Sequence, residues 1–333
     1  MSTVYRLLPP ILLPFVLLGA APLPQDTAPP RAFFETLRAA DLRLATIAYR
    51  LTTANAALCD RLQPQLGMPI HALTQYGAIA RPNAIAAFGF ESAVGVEGVV
   101  AGGPAARAGV RANDSLVAID GRSQPGLSSK TNGPADRDAA DAQLSAHAPN
   151  APISLSVARN GQHQLLTVTP VPGCRSRFEI LLGSGLGASA DGAIVQIGEG
   201  FFEGHADDEI AVIVAHELAH NILRHRARLD AAGISRGLFA ELGRNGRLIR
   251  ETEDDADRLG VYLLANAGYD PMAAPRFWRE KGGEIDGGLF RSRTHASSKA
   301  RAAVLEGVAK EIMATPKRPL VPAVLATRDM PLR

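Results

Sequence analysis

Two histidines and a glutamate stand together in His216-Glu217-Leu218-Ala219-His220. Residues four apart on a helix share a face about one turn from each other, so both imidazoles can reach one tetrahedral ion. Glu217 follows the first histidine. A carboxylate there can take a proton from a water attacking beside the ion and later give it to a leaving amine. The pattern is short enough to arise by chance, and two unrelated histidines on a helix are the plain alternative. Its surroundings favour the chemical reading. Asp207-Asp208-Glu209 supplies capping chemistry and negative charge for a helix N-terminus, and Ile210, Val214, Leu218 and Ile222 continue it at helical spacing.

An open tetrahedral site needs a third protein ligand. The extension with a glycine and a third histidine is excluded, because Leu223 and Arg226 occupy those positions. His225 would lie roughly 140° around a continuing helix from His220. The remaining usual choice is a glutamate on a following helix. Glu253-Asp254-Asp255-Ala256-Asp257 opens such a helix, which runs through Leu259, Val261, Leu263 and Leu264 and stops at Gly268 and Pro271. Glu253 and Asp257 share a face, so the first suits a metal and the second suits a role orienting a ligand histidine. Asp254 and Asp255 read as a solvated helix start. Glu251 lies about 200° from Glu253 and reads as a bystander.

Other elements must hold these residues in place. After a Pro-rich stretch, Phe33, Leu37, Leu44, Ile47, Leu51 and Leu58 repeat at helical spacing, which predicts a packing helix over 31–63. From 84 to 170 short Val/Ile runs alternate with Gly, Pro, Asn and Asp, the texture of a small β-rich module. Within Gly98 to Gly121 come a strand, a short Ala-rich helix from Pro104, a turn at Asn113-Asp114, a second strand and a turn at Asp120-Gly121. Asn160-Gly161 joins a closing hairpin. That order resembles a PDZ domain of the kind attached to bacterial proteases. Such a domain takes an extended peptide as an added strand, with Ala87-Phe88-Gly89-Phe90 as the expected loop; alternatively the module only braces its neighbour.

The spacing His-Glu-x-x-His, then Glu-x-x-Ala-Asp, then Gly-Tyr-Asp-Pro at 268–271 resembles the HtpX and CAAX-prenyl-protease group of zinc endopeptidases. It is most similar to the soluble periplasmic branch with an N-terminal PDZ module, over roughly residues 55 to 310. The resemblance implies zinc held by His216, His220 and Glu253, with Glu217 as general base. It also implies that His295 and Arg301, in Thr294-His295-Ala-Ser-Ser-Lys-Ala-Arg301, stabilise the tetrahedral oxyanion or order the site. Ala296 stands where proline is usual, and Gly187 where asparagine is usual. Substrate is expected antiparallel to the strand at 193–197, by backbone pairing with weak side-chain selectivity. The Gly-rich stretch 231–246 is expected as a lid or a plain loop.

Bulk properties agree with an exported enzyme and exclude some partners. At 333 residues and 46% hydrophobic, the chain can bury one large or two ordinary cores. A formal charge of +2 gives no field that favours a polyanion, so nucleic acid is not an expected partner. Arg6, an apolar run from Leu7 to Leu18 and the small residues Gly19, Ala20 and Ala21 read as a signal peptide over 1–21. The run is shorter than the roughly 20 residues of a membrane span and carries Pro9, Pro10 and Pro14; left uncleaved, it would keep the protein near a membrane. Cys59 and Cys174 form a candidate disulfide in an oxidising compartment, against the alternative of two buried thiols.

The expected fold is therefore α+β: a mainly helical zincin-type metallopeptidase domain over 173–333 with a small edge sheet, preceded by a β-rich PDZ-like domain. The expected activity is zinc-dependent hydrolysis of exported or misfolded polypeptides. One rival is a PDZ-type peptide-binding quality-control protein with a vestigial or plugged metal site, which would have no use for Glu217. Another is a hydrolase of a non-peptide amide, which would have no use for the PDZ-like module.

Overall fold

The computed structural model describes residues 28–131, 133–234, 243–285, 297–315 and 319–332. In chain order come α1 (Arg31–Ala54), a 3-10 turn (Ala56–Leu58), β1 (Leu62–Gln65), β2 (Ile70–Ala72), α2 (Arg81–Phe88), β3 (Val94–Val96), α3 (Pro104–Arg107), β4 (Ser115–Ile119) and β5 (Arg122–Ser123). Then follow α4 (Ala135–Ser145), β6 (Ile153–Arg159), β7 (Gln162–Val168), β8 (Val171–Cys174), β9 (Arg177–Leu181), β10 (Ala188–Ala190) and β11 (Ile194–Gly198). The remainder is helical: α5 (Gly200–Gly204), α6 (Asp207–Ile222), α7 (His225–Ala231), α8 (Gly243–Asn266), α9 (Ala273–Glu280), α10 (Gly282–Ile285) and α11 (Ser298–Ala314). No helix among the described residues is long and apolar enough to cross a membrane.

The helix expected over 31–63 ends at Ala54. Beyond Cys59 the chain extends, and Leu62–Gln65 pairs antiparallel with Val171–Cys174, with Leu62 opposite Cys174. Cys59 and Cys174 are disulfide-bonded, closing a separation of 115 residues. A six-stranded sheet has the order β2-β3-β4-β6-β7, with β5 on β4. Val94, Leu116, Ile119, Ile153, Leu155 and Val157 fill its core, and α4 adds Ala140 and Leu144. Asn160 and Gly161 both take positive φ, 53° and 74°, as a two-residue hairpin turn requires. The sheet begins at Ile70, ahead of the expected boundary at 84, because Ile70 pairs with Val96.

Ala87-Phe88-Gly89-Phe90 is not a peptide-binding loop. Ala87 and Phe88 end α2, Gly89 caps it in the left-handed region at φ 63°, and Phe88 and Phe90 are buried with Phe34 and Leu73. The edge strands of this sheet are β2 and β7, and the groove between β2 and α4 is the one an added strand would use.

A second sheet has the order β10-β11-β9, with β11 antiparallel to β10 and parallel to β9. The strand expected to receive substrate, 193–197, is therefore paired on both sides and has no edge to offer. The edge strands are β10 and β9, and β10 is the one that packs beside α6. Sheet order is decided by contacts distant in sequence, which is why the hydrophobic run of β11 gave no hint of its central position. Behind this sheet lies α6, buried at twelve of its sixteen residues, so it is a core helix without a solvent face. Ile213, Val214 and Leu218 of α6, Leu259 and Leu263 of α8, Phe277 and Trp278 of α9 and Leu305 of α11 all belong to the largest core. Leu44, Ile47 and Leu51 place the second half of α1 in that core, while Phe34 of its first half packs with α2.

Candidate metal centre

α6 starts as its sequence suggests. Asp207, Asp208 and Glu209 occupy the first turn, and the Glu209 carboxylate accepts the Ala206 amide at 2.8 Å. One turn apart near its end, His216 and His220 bring their Nε2 atoms to 3.1 Å. α8 crosses alongside and adds Glu253, whose Oε2 lies 3.2 Å from His216 Nε2 and 3.6 Å from His220 Nε2. Ligand bonds of about 2.1 Å in a tetrahedron hold donor atoms about 3.4 Å apart, so this donor set fits zinc. Among the described residues it is the one group of three or more histidine, cysteine and acidic side chains that converges in this way. Glu251 is exposed on the same helix, away from the group.

Which nitrogen would face an ion is set from behind. His216 Nδ1 donates to Asp257 Oδ1 at 2.9 Å, leaving Nε2 for the metal. Arg301 on α11 grips the same carboxylate at two points, Nε to Oδ2 at 2.7 Å and Nη2 to Oδ1 at 2.5 Å. Its guanidinium lies over the Trp278 ring, 3.3 Å from the centroid. Arg301 thus reaches His216 through Asp257, and all of these side chains are buried. Burial pushes the Asp257 carboxyl up, but Arg301 and His216 outweigh it and hold it at about 2. Burial likewise lowers His216, yet Asp257 and Glu253 carry its imidazole to about 10 in the metal-free chain, and a metal displaces that proton on binding.

Two residues of the site escaped sequence reasoning. α6 stops at Ile222, and Arg224 turns the chain at φ 54°, so His225 begins α7 instead of lying 140° around a continuing helix. Its Nδ1 comes back to within 2.9 Å of His220 Nδ1. Burial and the neighbouring His220 keep His225 neutral, so its Nδ1 can accept from His220 Nδ1, a tautomer of His220 that leaves Nε2 free for an ion. Asn221 is the other. Its Oδ1 accepts the Gly192 amide and its Nδ2 donates to Ser176 Oγ, both at 2.8 Å, which ties the turn between β10 and β11 to the metal helix. The stop at Leu223-Arg224 has no glycine or proline to announce it.

The donors open into a cleft of about 560 Å³. Glu217 lies in it, with Ser189 and Ala190 of β10 on one side and Leu229 and Ile249 on the other. His295 lies outside the described residues, as do 235–242 of the Gly-rich stretch.

Comparison with known proteins adds two likenesses. The sequence matches the PDZ domain family over residues 95–126. It is 29% identical over 121 residues to mitochondrial metalloendopeptidase OMA1 of Schizosaccharomyces pombe, covering 30% of this chain and 36% of that protein. To the Arabidopsis thaliana protein of the same name it is 31% identical over 122 residues, covering 30% of this chain and 24% of the relative. The chain thus spans about a third and a quarter of the lengths of these relatives. Among solved structures, the HtrA-type protease AlgW with a decapeptide is 29% identical over 33% of this chain and 30% of its own, at a TM-score of 0.26. The chain therefore joins a PDZ module to a segment similar to metalloendopeptidases.

Proposed function

We propose that this chain is a zinc-dependent endopeptidase acting on exported or misfolded polypeptides, akin to the HtpX and CAAX-prenyl-protease group. The observation that carries the reading is the convergence of His216, His220 and Glu253 at separations a tetrahedral zinc requires, with Glu217 in the same cleft. Zinc held there supplies a Lewis acid that polarises a carbonyl and acidifies water. Glu217 takes the proton of the attacking water and passes it to the leaving nitrogen. Asp257 and Arg301 hold His216 in its ligating tautomer, and His225 does the same for His220. The unpaired edge of β10 receives an extended substrate by backbone pairing, so the cleaved bond is chosen mainly by reach. The activity named for the two relatives supports the same reaction in this chain. An exported location is part of the proposal, supported by the leader pattern at 1–21 and the Cys59–Cys174 bridge.

Glu217→Gln tests the mechanism. The amide cannot accept a proton, so cleavage of casein should fall about 10²- to 10⁴-fold while bound zinc, measured by atomic emission, stays near one per chain. Undiminished cleavage removes Glu217 as base.

A further inference from the structure

A second cavity, of about 670 Å³, lies between the PDZ sheet and α1. One wall is the edge strand β2 with the loop Gly67-Met68-Pro69 before it, another is α4 through Arg137 and Leu144, and the third is Leu37 and Asp41 of α1, from outside the sheet. Among the described residues β2 pairs only with β3, and no strand occupies its other edge. An extended polypeptide can add there, main chain to β2 and alternate side chains towards the walls.

The loop end of this groove holds a pair of carboxyl groups. The Glu97 amide donates to Pro69 O at 3.0 Å, which sets Glu97 beside the loop, and its buried carboxyl is hydrogen-bonded to that of Asp41. Burial raises both, Asp41 to about 6, and the hydrogen bond between the two carboxyls is made by a proton they share. The nearby cations, Arg38 and Arg137, pull on this pair but make their hydrogen bonds to other groups. Arg137 binds Asp138 and Glu179, each at 2.7 Å, and Arg38 donates to Asn113 Oδ1 at 2.7 Å while lying over the Phe88 ring. Pro69 has no N–H to give an anion. A peptide carboxylate entering here meets carboxyl groups, whereas a cation can displace the shared proton and bind both.

We infer that this groove takes an internal, extended polypeptide segment that presents a lysine or arginine side chain to Asp41 and Glu97, and that it rejects a free C-terminal carboxylate. The inference rests on the polypeptide-substrate reading above. α1 then acts as a selector as well as a strut, because one of the two carboxyls belongs to it.

The full chain carrying Glu217→Gln is titrated, by fluorescence anisotropy, with labelled peptides of one sequence that differ only in a Lys-to-Glu exchange and in a free or amidated C-terminus. The amidated lysine peptide should bind about tenfold more tightly than its glutamate counterpart and no more weakly than the free acid. Adding Asp41→Asn with Glu97→Gln, near-isosteric changes, should erase the lysine preference while zinc content and thermal midpoint show a folded chain; Asp41→Asn alone serves if the double variant fails to fold. Tighter binding of the free acid overturns the inference, as does a lysine preference that survives the amide variants or a failure of every peptide to bind. Cleavage by the unsubstituted chain is scored separately, so binding without cleavage removes the peptidase reading and leaves this one standing.

Discussion

His216 can serve a metal only if its Nδ1 carries the proton and its ring is held still, and both conditions pass through one buried carboxylate. Asp257 is shared between His216 and Arg301, and Arg301 is itself pressed on Trp278. Removing Arg301 leaves a buried negative charge with one partner fewer, so Arg301→Leu should cost about 3–5 kcal/mol of stability. It should also lower zinc affinity about 10- to 100-fold through the loosened imidazole. Arg301→Lys keeps the charge but loses the two-point grip and the stacking, and should fall between. Competition against a chromogenic chelator measures it, and equal zinc affinity in all three proteins would show that Asp257 orients His216 unaided. The spacing of His216, Glu217, His220, Glu253 and Asp257 made their meeting legible in the sequence, because each pair lies on one helix and helical geometry is local. His225 and Asn221 were not legible, since their roles depend on where α6 stops and on which turn lies opposite it.

The elements that serve the cleft are β10, α6 and α8, and Asn221 joins the first two. Asn221→Leu removes both of its hydrogen bonds and frees the Gly192 turn, so the β10 edge should lose its fixed distance from His216 and Glu217. Substrates long enough to pair with β10 should show KM raised about tenfold, the equivalent of one lost hydrogen bond, with kcat and zinc content nearly unchanged. Asn221→Asp keeps the acceptor for the Gly192 amide and should recover most of the loss. Peptides too short to reach β10 should not change. A purely bracing role for Asn221 would move long and short substrates together, and a fall in kcat alone would place its effect on Glu217 instead of on the strand. Hydrophobic runs and turn residues revealed the strands here, but they carried no record of pairing order. That is why β11 was expected to face substrate and β10, short and half polar, was not.

At the scale of the whole molecule, α1 joins two cores: its first half packs with Leu73, Phe88 and Phe90 beside the PDZ sheet, its second with α6 and α8. Arg43 reinforces the second contact, binding Asp207 at 2.7 Å and the carbonyls of Phe202 and His205. The module texture was readable from the sequence; the path of α1 across both cores was not, because a helical period states that a face is buried without stating against what. The Asp41–Glu97 pair makes that path testable by pH. Both carboxyls hold protons more tightly in the folded chain, through burial first; for Asp41 that contribution to stability is fully present below its unfolded value of 3.8 and is lost as pH rises through about 6. Asp41→Asn keeps a hydrogen-bonding group of the same shape and removes the burial cost of a charge. It should therefore stabilise the chain by about 2 kcal/mol at pH 7.5, from a shift of roughly two pKa units shared between coupled groups, and by almost nothing at pH 4. Denaturant melts at the two pH values measure the difference. Equal effects at both would mean that the pair is solvated and that α1 does not hold Asp41 against the PDZ sheet.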